Sequence, residues 1–251
     1  MIMQTMKEIF EEIETNGGMT PSRRLRDIAN RFPEQIAFRD KRYGIWNEMS
    51  YKEFWMEVQY VGCALNYFGI QKTEKVAIHS ENRPEWLIAD IGVQAIGGIT
   101  VGLYPTNPPA EVQYLLSHSE SKILFAEDQE QVDKALEVLD EVPNLSKIIY
   151  FEEKGLFRYD SEKLMRWDEF LEIGKEEYEK NKDFVNFCID EIKSEDVALM
   201  IYTSGTTGPP KASMLSHGNM EWTASIIPDL SFTPNISTVS YTHLTLPTTP
   251  Y

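Results

Sequence analysis

Four short apolar runs rich in β-branched residues recur about every 23 to 25 residues: KVAIHS from Lys75, ITVGLY from Ile99, KILFAE from Lys122 and KIIYFE from Lys147. Between them lie three segments that read as helices, PEWLIADIGVQAIGG, AEVQYLLSHSE and QEQVDKALEVLDEV. Pro84 suits the first turn of the first one, where a missing N–H costs nothing. Strand, helix and strand at this pitch is what a right-handed crossover between parallel strands requires, because a tight turn cannot join parallel neighbours. Residues 70–152 are therefore expected to form a doubly wound α/β layer, a largely parallel sheet flanked by helices. The side chains do not recur with the pitch, so the regularity is topology and not a solenoid.

Ahead of this layer, SYKEFWMEVQYVGCALNYFG pairs Ser50 and Glu53 as a capping box and spaces Phe54, Val58, Val61, Leu65 and Phe68 by four and three before Gly69. That pattern predicts an amphipathic helix. After the layer, residues 155–194 are charged and aromatic, as in RWDEFLEIGKEEYEKNKDF. They are expected to make surface helices and to mark a boundary between two sheet halves before the chain re-enters a strand at VALMIY.

That last strand runs straight into Tyr202–Lys211, YTSGTTGPPK. Gly205 and Gly208 let the backbone turn tightly and approach a ligand closely, since neither carries a Cβ. Thr203, Ser204, Thr206 and Thr207 add rotatable hydroxyl donors, and Lys211 a mobile positive charge. Such a loop suits a polyanion, for example a nucleotide triphosphate. It is not the GxxxxGK loop of nucleotide-binding P-loops, because Pro209 and Pro210 separate Gly208 from Lys211 and Ala212 stands where the magnesium-binding hydroxyl would be. Neither does it fit GxGxxG, which needs an earlier partner glycine.

Composition narrows the partners. The net charge is −16, from 24 basic against 40 acidic residues, and no basic stripe is present, so nucleic acid is not expected as a partner. A local nest of amides, one lysine and a magnesium ion can still hold a nucleotide against that distant acidic field. The two cysteines, Cys63 and Cys188, sit in apolar neighbourhoods without CxxC spacing and are expected to be buried thiols. No apolar run approaches the roughly 20 residues of a membrane helix. The first residues, MIMQTMKEIFEEIE, are acidic where a signal peptide would be basic, so a solvated helix in a cytoplasmic protein is expected.

From Tyr202 to His217, YTSGTTGPPKASMLSH resembles the phosphate-binding motif of the adenylate-forming (AMP-binding) enzymes, the acyl-CoA synthetases and their relatives. Ala212 departs from it, since the family usually has glycine there, and its methyl group is expected to crowd the turn into the next strand. SENRPEW from Ser80 and GGITVGLYPTNPPAEVQYLL from Gly97 look like the long-chain fatty acyl-CoA synthetase branch. The resemblance covers roughly residues 20–225 and implies a two-step ligase that uses ATP, Mg2+ and coenzyme A to activate a fatty acid through an acyl-adenylate. It assigns Thr203, Ser204, Gly205, Thr206, Thr207, Gly208 and Lys211 to phosphate binding. Peripheral membrane contact of the parent enzyme and its oligomeric state stay open.

Other residues that attract attention have ordinary structural roles available. His217 is expected to position the chain entering a helix capped by Asn219, His79 and His118 have no partner pattern, and Trp86 and Tyr104 are expected to pack as aromatics. The resemblance also implies segments that do not follow His217 here: a YGxTE-type segment for adenine and magnesium, a ribose-binding aspartate and an adenylating lysine. Residues 1–241 are accordingly expected to be a partial N-terminal AMP-binding domain, with no C-terminal domain and no complete reaction by this chain alone. Residues 242–251 are expected to be a non-native tail, because VSYTHLTLPTTPY from Val239 resembles translated sequencing-adapter read-through. Two alternatives stay open, an adenylating enzyme for another carboxylic acid and a non-catalytic nucleotide-binding fragment.

Overall fold

The computed structural model describes residues 20–42, 44–203 and 209–230; the expected tail and the first residues lie outside these. Helix α1 (Pro21–Arg31) opens with Thr20, whose hydroxyl accepts from the Arg23 N–H. An antiparallel hairpin follows, β1 (Ile36–Arg42) and β2 (Ile45–Ser50). Helix α2 (Tyr51–Tyr67) starts at the predicted capping box: Ser50 Oγ accepts from the Glu53 N–H at 3.2 Å while the Glu53 carboxylate accepts from the Ser50 N–H at 2.8 Å. Its predicted stripe faces inward, with Val58, Val61 and Leu65 fully buried and Phe54 and Phe68 packed against the same core.

The four recurring runs are neighbouring parallel strands, β3 (Lys75–His79), β4 (Ile99–Leu103), β5 (Ile123–Ala126) and β6 (Lys147–Tyr150). The predicted helices join them: α3 (Pro84–Ala95), α4 (Pro109–Ser119) and α5 (Gln129–Glu137). A short β7 (Leu164–Arg166) and the helices α6 (Trp167–Lys180) and α7 (Phe184–Asp190) follow, then β8 (Val197–Thr203), β9 (Lys211–Ser216) and α8 (His217–Leu230). Strands β3 to β9 form one seven-stranded sheet in the order β7-β6-β5-β3-β4-β8-β9, parallel except where β9 turns back along β8, and β1 and β2 pair apart from it.

Alternation along each strand sorts the side chains into two cores, because successive residues point to opposite faces. Val76, Ile78, Ile123, Phe125 and Ile149 join α1, α2, α3, α6 and α7 on one face. Ala77, Val101, Leu103, Leu124, Ala126 and Ile148 meet α4 and α5 on the other. The first face carries an aromatic cluster in which Phe125, Phe151, Trp167 and Phe170 lie 5.2 to 6.0 Å apart between ring centroids.

Two expectations change. The segment after β6 is no boundary between sheet halves, because β8 pairs directly with β4 in the same sheet. Nor are its helices only superficial: Phe170 of α6 and Val185 and Ile189 of α7 are buried in the first core. The charged residues of α6 occupy its outer face, as in the Lys180–Glu177 pair, while a narrow inward stripe does the packing.

Candidate functional site

Parallel strands all deliver their C-terminal ends to one edge of the sheet, and ligand crevices in open α/β sheets form outside that edge. Strand β8 ends there at Thr203 and β9 begins at Lys211, the two being partners in the last register pair of the hairpin. Both are exposed at the edge. Ser204, Gly205, Thr206, Thr207 and Gly208 lie outside the described residues; the structure places the two ends that bracket them. Thr203 and Lys211 are thus brought together at the end of the hairpin ladder.

The residues next to these ends are anchored from below. Tyr202 is buried, and its hydroxyl and His118 Nδ1 are hydrogen-bonded at 2.7 Å. Burial, with Tyr114 close by, pushes the Tyr202 phenol up to about 12, so its proton stays in place at neutral pH. The Tyr114 hydroxyl donates to the Pro210 carbonyl at 3.1 Å. Tyr114 and His118 share one face of α4, four residues apart, with ring centroids at 5.4 Å. His118, which shows no partner pattern in the sequence, therefore has a partner that sequence spacing could not show.

Ala212 lies within β9 opposite Tyr202, and its methyl group packs against the second core. At the end of β9, Ser216 and Asn219 cap α8 reciprocally: Ser216 Oγ accepts from the Asn219 N–H at 3.2 Å, and Asn219 Oδ1 accepts from the Ser216 N–H at 3.1 Å. The cap is thus Ser216, with Asn219 completing the box from three residues inside, and His217 is fully buried as the first helical residue.

The ends of β3 and β4 are among the others at this edge. After β4, Tyr104 is 62% exposed, contrary to the packed aromatic expected, whereas Trp86 does pack against the first core. His79, at the end of β3, is fully buried and donates from Nε2 to the Tyr104 carbonyl at 3.1 Å, which leaves Nδ1 as the unprotonated nitrogen. Burial, and then the Lys134 charge, lowers His79 to about 4. After β3 the chain turns toward β4, and after β5 toward β6, so the direction of winding reverses between β3 and β5. Arg83 fills that point, paired to Glu85 at 2.7 Å and Glu152 at 2.8 Å and lying over the Phe151 ring at 5.2 Å.

Beside Glu85, on the face of the first core, a cleft of about 400 Å³ lies between the β1–β2 hairpin, α2, α3 and α6, lined by Phe38, Met49, Glu57, Glu85 and Trp167 among others. Burial and the neighbouring Glu85 push Glu57 up to about 7. Cys63 is a buried free thiol as expected, raised to about 12 chiefly by burial, whereas Cys188 is only half-buried because its short helix α7 is partly open to solvent. Among the described residues no three His, Cys, Asp or Glu side chains cluster as an ion site, and no helix is long and apolar enough to cross a membrane.

Residues 25–246 match the family model described as AMP-binding enzyme. The chain is similar to the long-chain-fatty-acid–CoA ligase ACSBG2 of Xenopus laevis, 33% identical over 201 residues, which are 80% of this chain and 26% of that protein. It is also similar to the human ACSBG2 ligase, 31% identical over 223 residues, 88% of this chain and 33% of the relative. The chain thus spans about a quarter to a third of the length of these curated relatives. Among solved structures it resembles the anthranilate CoA ligase AuaEII in complex with anthranoyl-AMP, with a TM-score of 0.64 at 22% identity over 83% of this chain and 36% of that one.

Proposed function

We infer that this chain, which belongs to the AMP-binding enzyme family, is the triphosphate-binding part of a long-chain fatty acid–CoA ligase. The observation that carries the inference is the facing of Thr203 and Lys211 across the end of the β8–β9 hairpin, at the C-terminal edge of a parallel sheet. Similarity to long-chain ligases across most of the chain supports the fatty acid as substrate.

The reaction of such a ligase moves negative charge twice. A fatty acid carboxylate oxygen bonds to the α-phosphorus of ATP as the bond to the β-phosphate oxygen breaks, giving acyl-adenylate and pyrophosphate. The coenzyme A sulfur then attacks the acyl carbon, losing its thiol proton, and AMP departs. In the first step charge gathers on the leaving pyrophosphate, so donors and a cation held ready around it lower the barrier. Lys211 supplies that cation. Thr203, Ser204, Thr206 and Thr207 supply hydroxyls, and Gly205 and Gly208 let backbone amides approach the phosphates. Magnesium enters with ATP as the Mg·ATP substrate and offsets phosphate charge beside Lys211.

Titration calorimetry of this chain with Mg·ATP tests the assignment. Replacing Lys211 by Ala removes one charge-assisted contact and is expected to weaken binding by about 1.5 to 3 kcal/mol, roughly 10- to 150-fold. Equal affinity of the two proteins would remove the assignment. Turnover is a separate matter: the chain spans only part of its relatives, and we propose that alone it binds nucleotide without completing adenylation. ATP–pyrophosphate exchange with a long-chain fatty acid is expected to stay at background, and robust exchange would refute this.

A further inference from the structure

Lys211 can act on a phosphate only if the two strands that carry the turn are held at a fixed separation, and the hydrogen-bonded ladder ends with it. Pro210 lies one residue beyond the last register pair, Thr203 with Lys211, and as a proline it has no N–H to extend the ladder. The Tyr114 hydroxyl takes the Pro210 carbonyl at 3.1 Å. On the other strand Tyr202, immediately before Thr203, is tied through its hydroxyl to His118 at 2.7 Å. The incoming and outgoing strands are therefore each tethered beside the turn, to two side chains one helical turn apart on α4.

We propose that Tyr114 and His118 are positioning residues for nucleotide binding: α4 clamps both strands of the β8–β9 hairpin and so fixes the separation of Thr203 and Lys211. This rests on the assignment of Lys211 to phosphate. The two anchors differ in what they hold. Tyr114 sets the carbonyl next to Lys211 and hence the direction in which the lysine leaves the sheet, whereas His118 holds Tyr202 in the second core, opposite Ala212. Neither side chain needs to touch the ligand. Nothing in the sequence motif announces the pair, which lies 84 to 96 residues upstream of its partners.

The test uses magnesium tripolyphosphate as the probe, titrated into the wild-type chain and into Lys211→Ala, Tyr114→Phe, His118→Leu and His118→Asn, with the thermal midpoint of each protein recorded. Tyr114→Phe keeps the ring and removes only the hydroxyl, so the fold is retained. The clamp predicts about three- to tenfold weaker binding for Tyr114→Phe and His118→Leu. It also predicts recovery in His118→Asn, whose amide oxygen can take the place of Nδ1. In the Lys211→Ala background the Tyr114→Phe effect should shrink toward none, because a positioning residue acts through the group it positions. If Lys211→Ala weakens binding but the clamp variants bind like wild type, or their losses add fully to that of Lys211→Ala, the clamp is wrong and the phosphate assignment stands. If Lys211→Ala binds like wild type, or wild type takes up no tripolyphosphate, the phosphate assignment falls and the clamp falls with it.

Discussion

Gly174 of α6 lies directly against the backbone of Tyr60 in α2, so close that a methyl group on the glycine would stand 2.0 Å from the Tyr60 carbonyl oxygen. The obstacle is backbone and not the end of a flexible side chain, so one helix would have to move. Gly174→Ala is therefore expected to destabilise the fold by about 1 to 2 kcal/mol despite the better helix propensity of alanine, because overpacking of up to about 3 kcal/mol outweighs the roughly 1 kcal/mol that propensity offers. Urea unfolding followed by circular dichroism measures it. A gain in stability would show that α2 and α6 are not this close in solution.

Glu57 gives the chain a pH dependence of one definite sign. Its folded value of about 7 lies above the ordinary carboxylate value, since burial and the charge of Glu85 disfavour the anion. Between roughly pH 4.5 and 7 the native state keeps a proton that the unfolded chain releases, so this contribution is fully present at the acid end and is lost as pH rises through 7. Glu57→Gln should remove the loss: the variant is expected to gain about 1 to 2 kcal/mol on wild type at pH 8 relative to pH 5, after discounting for partial solvent exposure. A constant difference across that range would show that Glu57 ionises freely.

His79 acts in the opposite direction. Its folded value of about 4 lies below the ordinary imidazole value because burial, then Lys134, disfavours the cation. The unfolded chain takes up the proton between roughly pH 6.5 and 4 and the native state does not, so stability is complete above that window and declines as pH falls through it. The decline attributable to this residue is up to about 3 kcal/mol. His79→Gln, which cannot titrate, should flatten the acid limb of a denaturation series, and an unchanged limb would place the sensitivity elsewhere.

What the sequence made legible follows from the range of the interactions involved. The Ser50–Glu53 box and the α2 stripe could be read because each closes within a few residues, and the parallel layer because crossovers impose a pitch. The β1–β2 hairpin escaped notice, since IAFRDKR and IWNEMS carry too many polar residues to alternate cleanly. The pairing of β8 with β4 could not be read either, because a buried apolar strand looks the same whichever neighbour it chooses. At the site, Thr203 and Lys211 were named by a local motif. Tyr114 and His118 were not, because their contacts cross most of the sheet sequence and have no spacing to betray them.

Arg83 supplies the most direct electrostatic prediction. Its side chain, 11% exposed, bonds Glu85 through Nε and Glu152 through a terminal nitrogen, with Glu127 at 3.9 Å and the Phe151 ring beneath it. Glu127 in turn accepts from the Glu81 N–H at 2.6 Å, so the segments that follow β3, β5 and β6 all meet at one guanidinium. A planar fork can satisfy carboxylates on several sides at once, which an ammonium cannot. Removing it takes away the cation that Glu85, itself 8% exposed, shares with Glu127 and Glu152. Arg83→Met, which keeps apolar contact with Phe151, is expected to cost about 2 to 4 kcal/mol, and Arg83→Lys a smaller part of that. Adding Glu85→Gln to Arg83→Met should recover part of that loss, since it removes one of the carboxylate charges that Arg83 offsets. Chemical denaturation of the four proteins, wild type, both single Arg83 variants and the double variant, decides the matter: equal losses for Met and Lys, or no recovery in the double variant, would mean that Arg83 acts by packing alone.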